Sequence, residues 1–235
     1  MLTILALGFL IGIRHAFEPD HVAAVASLAT RTTSLRQAAR QGAAWGLGHT
    51  ITLFVVCTVV MALDTAISER VAGYLEAAVG VMLVALGLDV LRRLVRDHVH
   101  FHAHRHADGV AHFHAHSHKG EAAQTHDTKR HEHDHAGARQ FPFRALAVGL
   151  MHGMAGSAAL IVLAAQTVDS VWLGLGYVAL FGVGSIVGMA IFSAVICVPM
   201  KSAKTLTWAH NGLQLAVGIG TALLGASTVY QHLVA

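Results

Sequence analysis

The residues with the most chemistry in this 235-residue chain lie close together near its start: Arg14, His15, Glu18, Pro19, Asp20 and His21. Two imidazoles and a carboxylate within seven positions make a metal-ligand set of intermediate hardness. Imidazole suits nickel, cobalt, copper and zinc, and the absence of a nearby thiolate argues against Cu(I). Only 13 residues precede Arg14, too few for a helix to cross about 30 Å of hydrocarbon before the cluster begins. The apolar segment must therefore continue through the cluster, which places these polar groups inside the bilayer. Each Arg or Asp at such depth costs about 2.5–3.5 kcal/mol to insert, so residues of this kind face a cavity or partner and mark an ion path. Pro19 adds a geometric expectation. Its ring clashes with the carbonyl four residues back, that of His15, so a kink should free that carbonyl and swing His15 and His21 toward one point.

Three more histidines fall in apolar segments: His49, His152 and His210. His49 and His152 are expected to join His15, Asp20 and His21 as ligands or relays; His210 is expected to be structural. A separate population of 13 histidines lies between positions 98 and 135. It includes His98, His100, His102, His104 and His106, then His112, His114, His116 and His118, then His131, His133 and His135. This tract is too polar to build a core, is expected to be disordered without a ligand, and reads as an accessory metal-binding buffer. His131, Glu132 and His135 satisfy the zinc-protease pattern HExxH, but that chemistry needs a rigid helix and a cleft, which the tract does not offer. No catalytic residues and no resident cofactor are expected.

The elements that must hold these groups follow from composition. Hydrophobic residues make up 54% and charged residues 12%, about half the charge of a soluble domain. Apolar segments run over 2–30, 42–63, 71–91, 143–167, 171–198 and 206–231, giving an all-α, polytopic membrane protein of six transmembrane helices. The first segment lacks a basic leader region and a clear cleavage site before Arg14, so it reads as a retained span. Fourteen of the 16 Lys and Arg residues fall in the loops 31–41, 92–142 and 199–205 or at their edges. By the positive-inside bias those loops are cytoplasmic and both termini lie outside, in a cytoplasmic (inner) membrane protein. The formal charge of +3 is thus an orienting charge, and no nucleic-acid partner is implied. Cys57 and Cys197 sit alone in apolar segments and read as small buried hydrophobes.

The chain also reads as duplicated. Gly12 and His15 match Gly149 and His152, Gly46 and Gly48 match Gly182 and Gly184, and Gly80 and Gly87 match Gly218 and Gly225. Three spans per half is an odd number, so the halves must be inverted repeats, a plan typical of secondary transporters. The expected organisation is a three-helix repeat over 1–91, a histidine-rich loop over 92–142 and a second repeat over 143–235.

His15 to His21 fits the HxxxxDH signature of the nickel/cobalt transporter superfamily, which the chain resembles over all six spans. The stretches from Ser34 to Thr50 and from Gly149 to Ser157 resemble its urease-accessory, UreH-type branch. The resemblance implies a permease for Ni²⁺ or Co²⁺ in which His15, Asp20, His21 and His49 carry metal selection. The histidine-rich loop resembles that of related nickel/cobalt exporters. The signature favours uptake and the loop favours export, with uptake slightly preferred. A membrane metal sensor or metallochaperone is the reading from another class. The implied partners are the metal ion, the bilayer and cytoplasmic nickel-handling proteins.

Overall fold

The computed structural model describes residues 2–30, 32, 34–63, 67–96, 100–105, 111–116, 141–155, 171–202 and 207–233. Apart from one hairpin these residues build helices: α1 (Leu2–His15), α2 (Pro19–Ala29), α3 (Leu35–Leu63), α4 (Glu69–Arg96), α5 (Phe143–His152), α6 (Val171–Ser202) and α7 (Thr207–Leu233). Four of them, α3, α4, α6 and α7, are long and apolar enough to cross a membrane. Large apolar side chains such as Leu10, Val55, Val81, Ile191 and Leu223 point outward, half or more exposed. An apolar surface of that extent must be covered, and on helices of membrane-spanning length the cover is lipid. Trp172 and Trp208, near the starts of α6 and α7, are the most exposed aromatics among the described residues, as suits side chains at the membrane–water boundary. The chain is therefore a multi-pass membrane protein.

The first apolar segment is not one helix with a kink. Helix α1 closes at His15 in a tight turn in which the amides of Ala16, Phe17 and Glu18 donate to the carbonyls of Ile13, Arg14 and His15. Pro19 then occupies the first turn of a new helix, α2, where a missing N–H leaves nothing unsatisfied. The expectation that Pro19 releases the His15 carbonyl is corrected here: that oxygen accepts the Glu18 amide at 3.1 Å and is no free ligand. The break still turns the chain, because three non-helical residues separate the two helix axes.

Helix α6 packs on α1 and α3, α5 packs on α3, and α4 packs on α7, while α2 touches α3, α4, α6 and α7. Glycines make these approaches close. A side-chain carbon at Gly12 would run into the Phe181 carbonyl, one at Gly149 into the Trp45 carbonyl, one at Gly48 into the Leu146 carbonyl and one at Gly184 into the Phe9 carbonyl. Hydroxyls add hydrogen bonds across the same contacts. Ser185 donates to the Gly12 carbonyl at 3.2 Å, and Ser27 pairs with Thr221 at 3.0 Å, joining α2 to α7. Bonds of this kind between membrane helices average about 0.6 kcal/mol each, so close packing carries most of the association.

Within the loop over 92–142, His100–Arg105 and Ala111–His116 pair as an antiparallel hairpin, β1 and β2. Its register sets His100 opposite His116, His102 opposite His114 and His104 opposite His112. His98, His106, His118, His131, His133 and His135 lie outside the described residues, as do positions 156–167 of the fourth apolar segment.

Candidate metal centre

The break between α1 and α2 puts His15 on the last turn of one helix and Asp20 and His21 on the first turn of the next. Helix α3 brings His49 to the same point, and α5 brings His152 on its final residue. All five residues expected from the sequence thus converge. His21, His49 and His152 are almost wholly buried, at 1%, 0% and 1% exposure. Glu18 is half exposed and Asp20 about a third, so the centre has one open flank, on the side of the α1–α2 turn.

Among the described residues, two three-residue groups have the geometry to hold a cation. The ligand atoms of His15, His21 and His49 lie within 4.8 Å of one another, and so do those of Asp20, His21 and His152. His21 belongs to both. Its ring centroid is 4.3 Å from those of His15 and His152 and 5.1 Å from that of His49. The Nε2 atoms of His15 and His49 approach to 3.2 Å. Two imidazole nitrogens bound side by side to one metal, with bonds of about 2.0–2.1 Å, stand about 3 Å apart, so this pair already has chelating separation.

The carboxylates decide which nitrogens are available. An ionised carboxylate only accepts, so an imidazole nitrogen facing it carries the proton and the other nitrogen keeps the lone pair. Glu18 Oε1 accepts from His15 Nδ1 at 2.9 Å, which leaves the lone pair on His15 Nε2, where it accepts from His49 Nε2. Asp20 Oδ1 accepts from His21 Nδ1 at 3.0 Å and from the His21 amide at 2.9 Å. Asp20 Oδ2 accepts from His152 Nε2 at 2.9 Å. His21 Nε2 and His152 Nδ1 then keep lone pairs, and both are buried with no hydrogen-bond partner among the described residues; so is His49 Nδ1. Buried polar atoms left unpaired call for a water or an ion, and outer carboxylates that fix imidazole tautomers are what metal-binding histidines commonly have.

Glu18 and Trp45 belong to the site as well. Glu18 orients His15, and the Trp45 ring packs 5.3 Å from His21 and 5.5 Å from His152. The spacing between Glu18 and His15 was visible in the sequence, and Trp45 stands four residues before His49, on the same helix face. His210 is placed elsewhere, on α7, where its Nε2 meets Gln214 at 2.8 Å.

Residues 1–229 match the family described as NicO, high-affinity nickel-transport protein. The chain is 32% identical to a urease accessory protein, UreH, of Bacillus sp. (strain TB-90), over 98% of this chain and 92% of that one. It is 26% identical to two Arabidopsis thaliana proteins, chloroplast proteins FOR GROWTH AND FERTILITY 1 and 2, over 91% and 95% of this chain. The matches span 57% and 56% of those plant proteins. No solved structure matches the chain.

Proposed function

The chain belongs to the NicO family of high-affinity nickel-transport proteins, and we propose that it is a secondary permease that moves Ni²⁺, or Co²⁺, through the centre built by His15, Asp20, His21, His49 and His152. The family is one of transporters and not of enzymes. The observation that carries the site assignment is the pair of ligand groups sharing His21, buried inside a bundle of apolar helices. Neutral imidazoles bind a borderline divalent ion without burying much net charge, while Asp20 and Glu18 offset part of the ion's charge. Pro19 supports the assignment by starting α2 where it does.

Six spans arranged as two inverted repeats complete the reading, with α1 and α2 together as the first span. The close approaches support it because they occur in matching pairs. Gly12 meets Phe181 as Gly149 meets Trp45, Gly48 meets Leu146 as Gly184 meets Phe9, and Gly80 meets Gly225 as Gly218 meets Gly87. A two-fold relation between halves would generate such pairs. The second half keeps His152 at the position of His15 but has Ser185 where the first has His49, so the ligands are unequally shared. The basic loops face the cytoplasm in this reading, both termini face out, and uptake is the favoured direction. The histidine loop buffers metal on the cytoplasmic side, where nickel-handling proteins receive it.

Radiolabelled Ni²⁺ flux into proteoliposomes tests transport: saturable flux in the parent and none in His21→Ala is expected. Direction is tested by cellular nickel content, which rises on expression of an importer and falls on expression of an exporter.

A further inference from the structure

The metal centre lies well inside the bundle, so an ion needs a way between it and each membrane face. Helix α3 presents a polar stripe that runs from the centre toward the basic loops. Gln41, Trp45 and His49 recur every four residues, which places them along one face of the helix. Each holds a buried polar atom without a hydrogen-bond partner among the described residues: Gln41 Oε1, Trp45 Nε1 and His49 Nδ1. Trp45 and His49 are 0% exposed.

Three such atoms in a row are costly in an apolar bundle, at about 1–3 kcal/mol each when left dry. One could be an isolated defect; a continuous row at helical spacing points to water or an ion running along it. The length fits. From His49 back to Gln41 is eight residues, about 12 Å of helix, against about 15 Å for half the hydrocarbon core. The stripe also meets the centre directly, since Trp45 packs on His21 and His152 and His49 is a candidate ligand. The next turn toward the start of α3 contains Arg36 and Arg40, in the basic-loop region.

We propose that Gln41, Trp45 and His49 line the half of the cation path between the imidazole centre and the membrane face that carries the basic loops, with the Gln41 side-chain oxygen as an intermediate ligand for a partly hydrated divalent ion. An amide oxygen suits that step because it stabilises a cation but binds Ni²⁺ less firmly than imidazole, so it does not trap the ion. The Trp45 indole N–H, a donor only, orients the water that travels with it. The proposal rests on the permease reading for the identity of the ion, but its geometry can be tested without it.

The test uses full-length chains in sealed vesicles of either orientation, probed with a charged, membrane-impermeant methanethiosulfonate. Cys57 and Cys197 are fully buried, so the parent should react little. Gln41→Cys should react from the same face as the exposed control Ser34→Cys, and at least about tenfold faster than Leu47→Cys, which lies on the lipid-facing side of α3. Its modification should then cut Ni²⁺ flux by roughly tenfold or more, the scale on which groups around a metal site act. A Gln41→Cys chain that inserts but reacts from neither face, or only from the face opposite Ser34→Cys, overturns the proposal. Should that variant fail to insert, Gln41→Leu and Gln41→Glu decide: flux lost in the first and kept in the second supports the path, and parental flux in Gln41→Leu overturns it. Failure of the permease reading looks different, because His21→Ala would then match its parent in flux whatever the reactivity at position 41.

Discussion

Asp20 Oδ2 and His152 Nε2 stand 2.9 Å apart although 132 residues separate them in the chain. The same carboxylate accepts from His21 through its other oxygen, so one side chain ties the start of α2 to the end of α5 and sets the tautomers of two imidazoles. Two segments far apart in the chain therefore meet chemically at the candidate metal centre and not merely through packing.

His152→Ala should impair transport as severely as His21→Ala, with flux reduced about 10–100-fold, the usual cost of disturbing ligands or their supporting shell. Asp20→Asn should fall in the same range, because an amide cannot accept from both imidazoles through both its terminal atoms. His210→Ala should transport at the parental rate, since His210 lies outside both ligand groups. Ni²⁺ flux in proteoliposomes, normalised to inserted protein, reads all four; equal flux in His152→Ala and its parent would remove α5 from the centre.

Helix packing predicts a contrast among glycines. Gly149→Ala sets a methyl group against the Trp45 carbonyl and should destabilise the bundle by about 1–3 kcal/mol, the range for overpacking. Gly212→Ala and Gly220→Ala, where nothing lies within 4 Å, should be neutral or slightly stabilising, because alanine is favoured over glycine in a helix by up to about 1 kcal/mol. Thermal unfolding in detergent distinguishes them, and similar midpoints for all three would contradict the close approach of α3 and α5.

Metal affinity should fall with acidification. An imidazole ligates only as the neutral base, so binding competes with protons at the ligands. Lowering the pH from 7 toward 5 adds protons that must be displaced, and the Co²⁺ dissociation constant should therefore rise. Titration of the full-length protein across that range and below it checks this; an affinity that stays constant until the protein unfolds would argue against histidine ligation.

Deleting residues 98–135 should leave a folded permease that still moves metal at high concentration, because the candidate ligands of the centre all lie outside the loop. For an importer the loop faces the receiving side, so initial uptake should hardly change while retained cytoplasmic metal falls. For an exporter it faces the supply side, and apparent affinity should weaken at low metal, as expected on losing a tethered binder that works at millimolar effective concentration. Initial rates against metal concentration separate these outcomes. Loss of all flux in a correctly inserted deletion would make the loop part of the path.

The sequence alone determined the membrane character of the chain and the polar interruption of its first segment, because both depend on local quantities: hydrophobic run length, charge placement and a proline four residues after a histidine. It also put His15, Asp20 and His21 in one neighbourhood, since six positions cannot separate them far. It could not say whether Pro19 bends a helix or begins one. A bent helix and a new start satisfy the same local rules, and the tight turn ending at Glu18 settled it by engaging the His15 carbonyl. Only the tertiary structure brought His49 and His152 to the centre and left His210 outside. Which face of α3 or α5 turns inward depends on where Gly48 and Gly149 let backbones meet, and glycines at many other positions permit other pairings. The roles of Glu18 and Trp45 were hidden for the same reason. Each acts on an imidazole through direction and distance, and spacing along a chain specifies neither until the helices have packed.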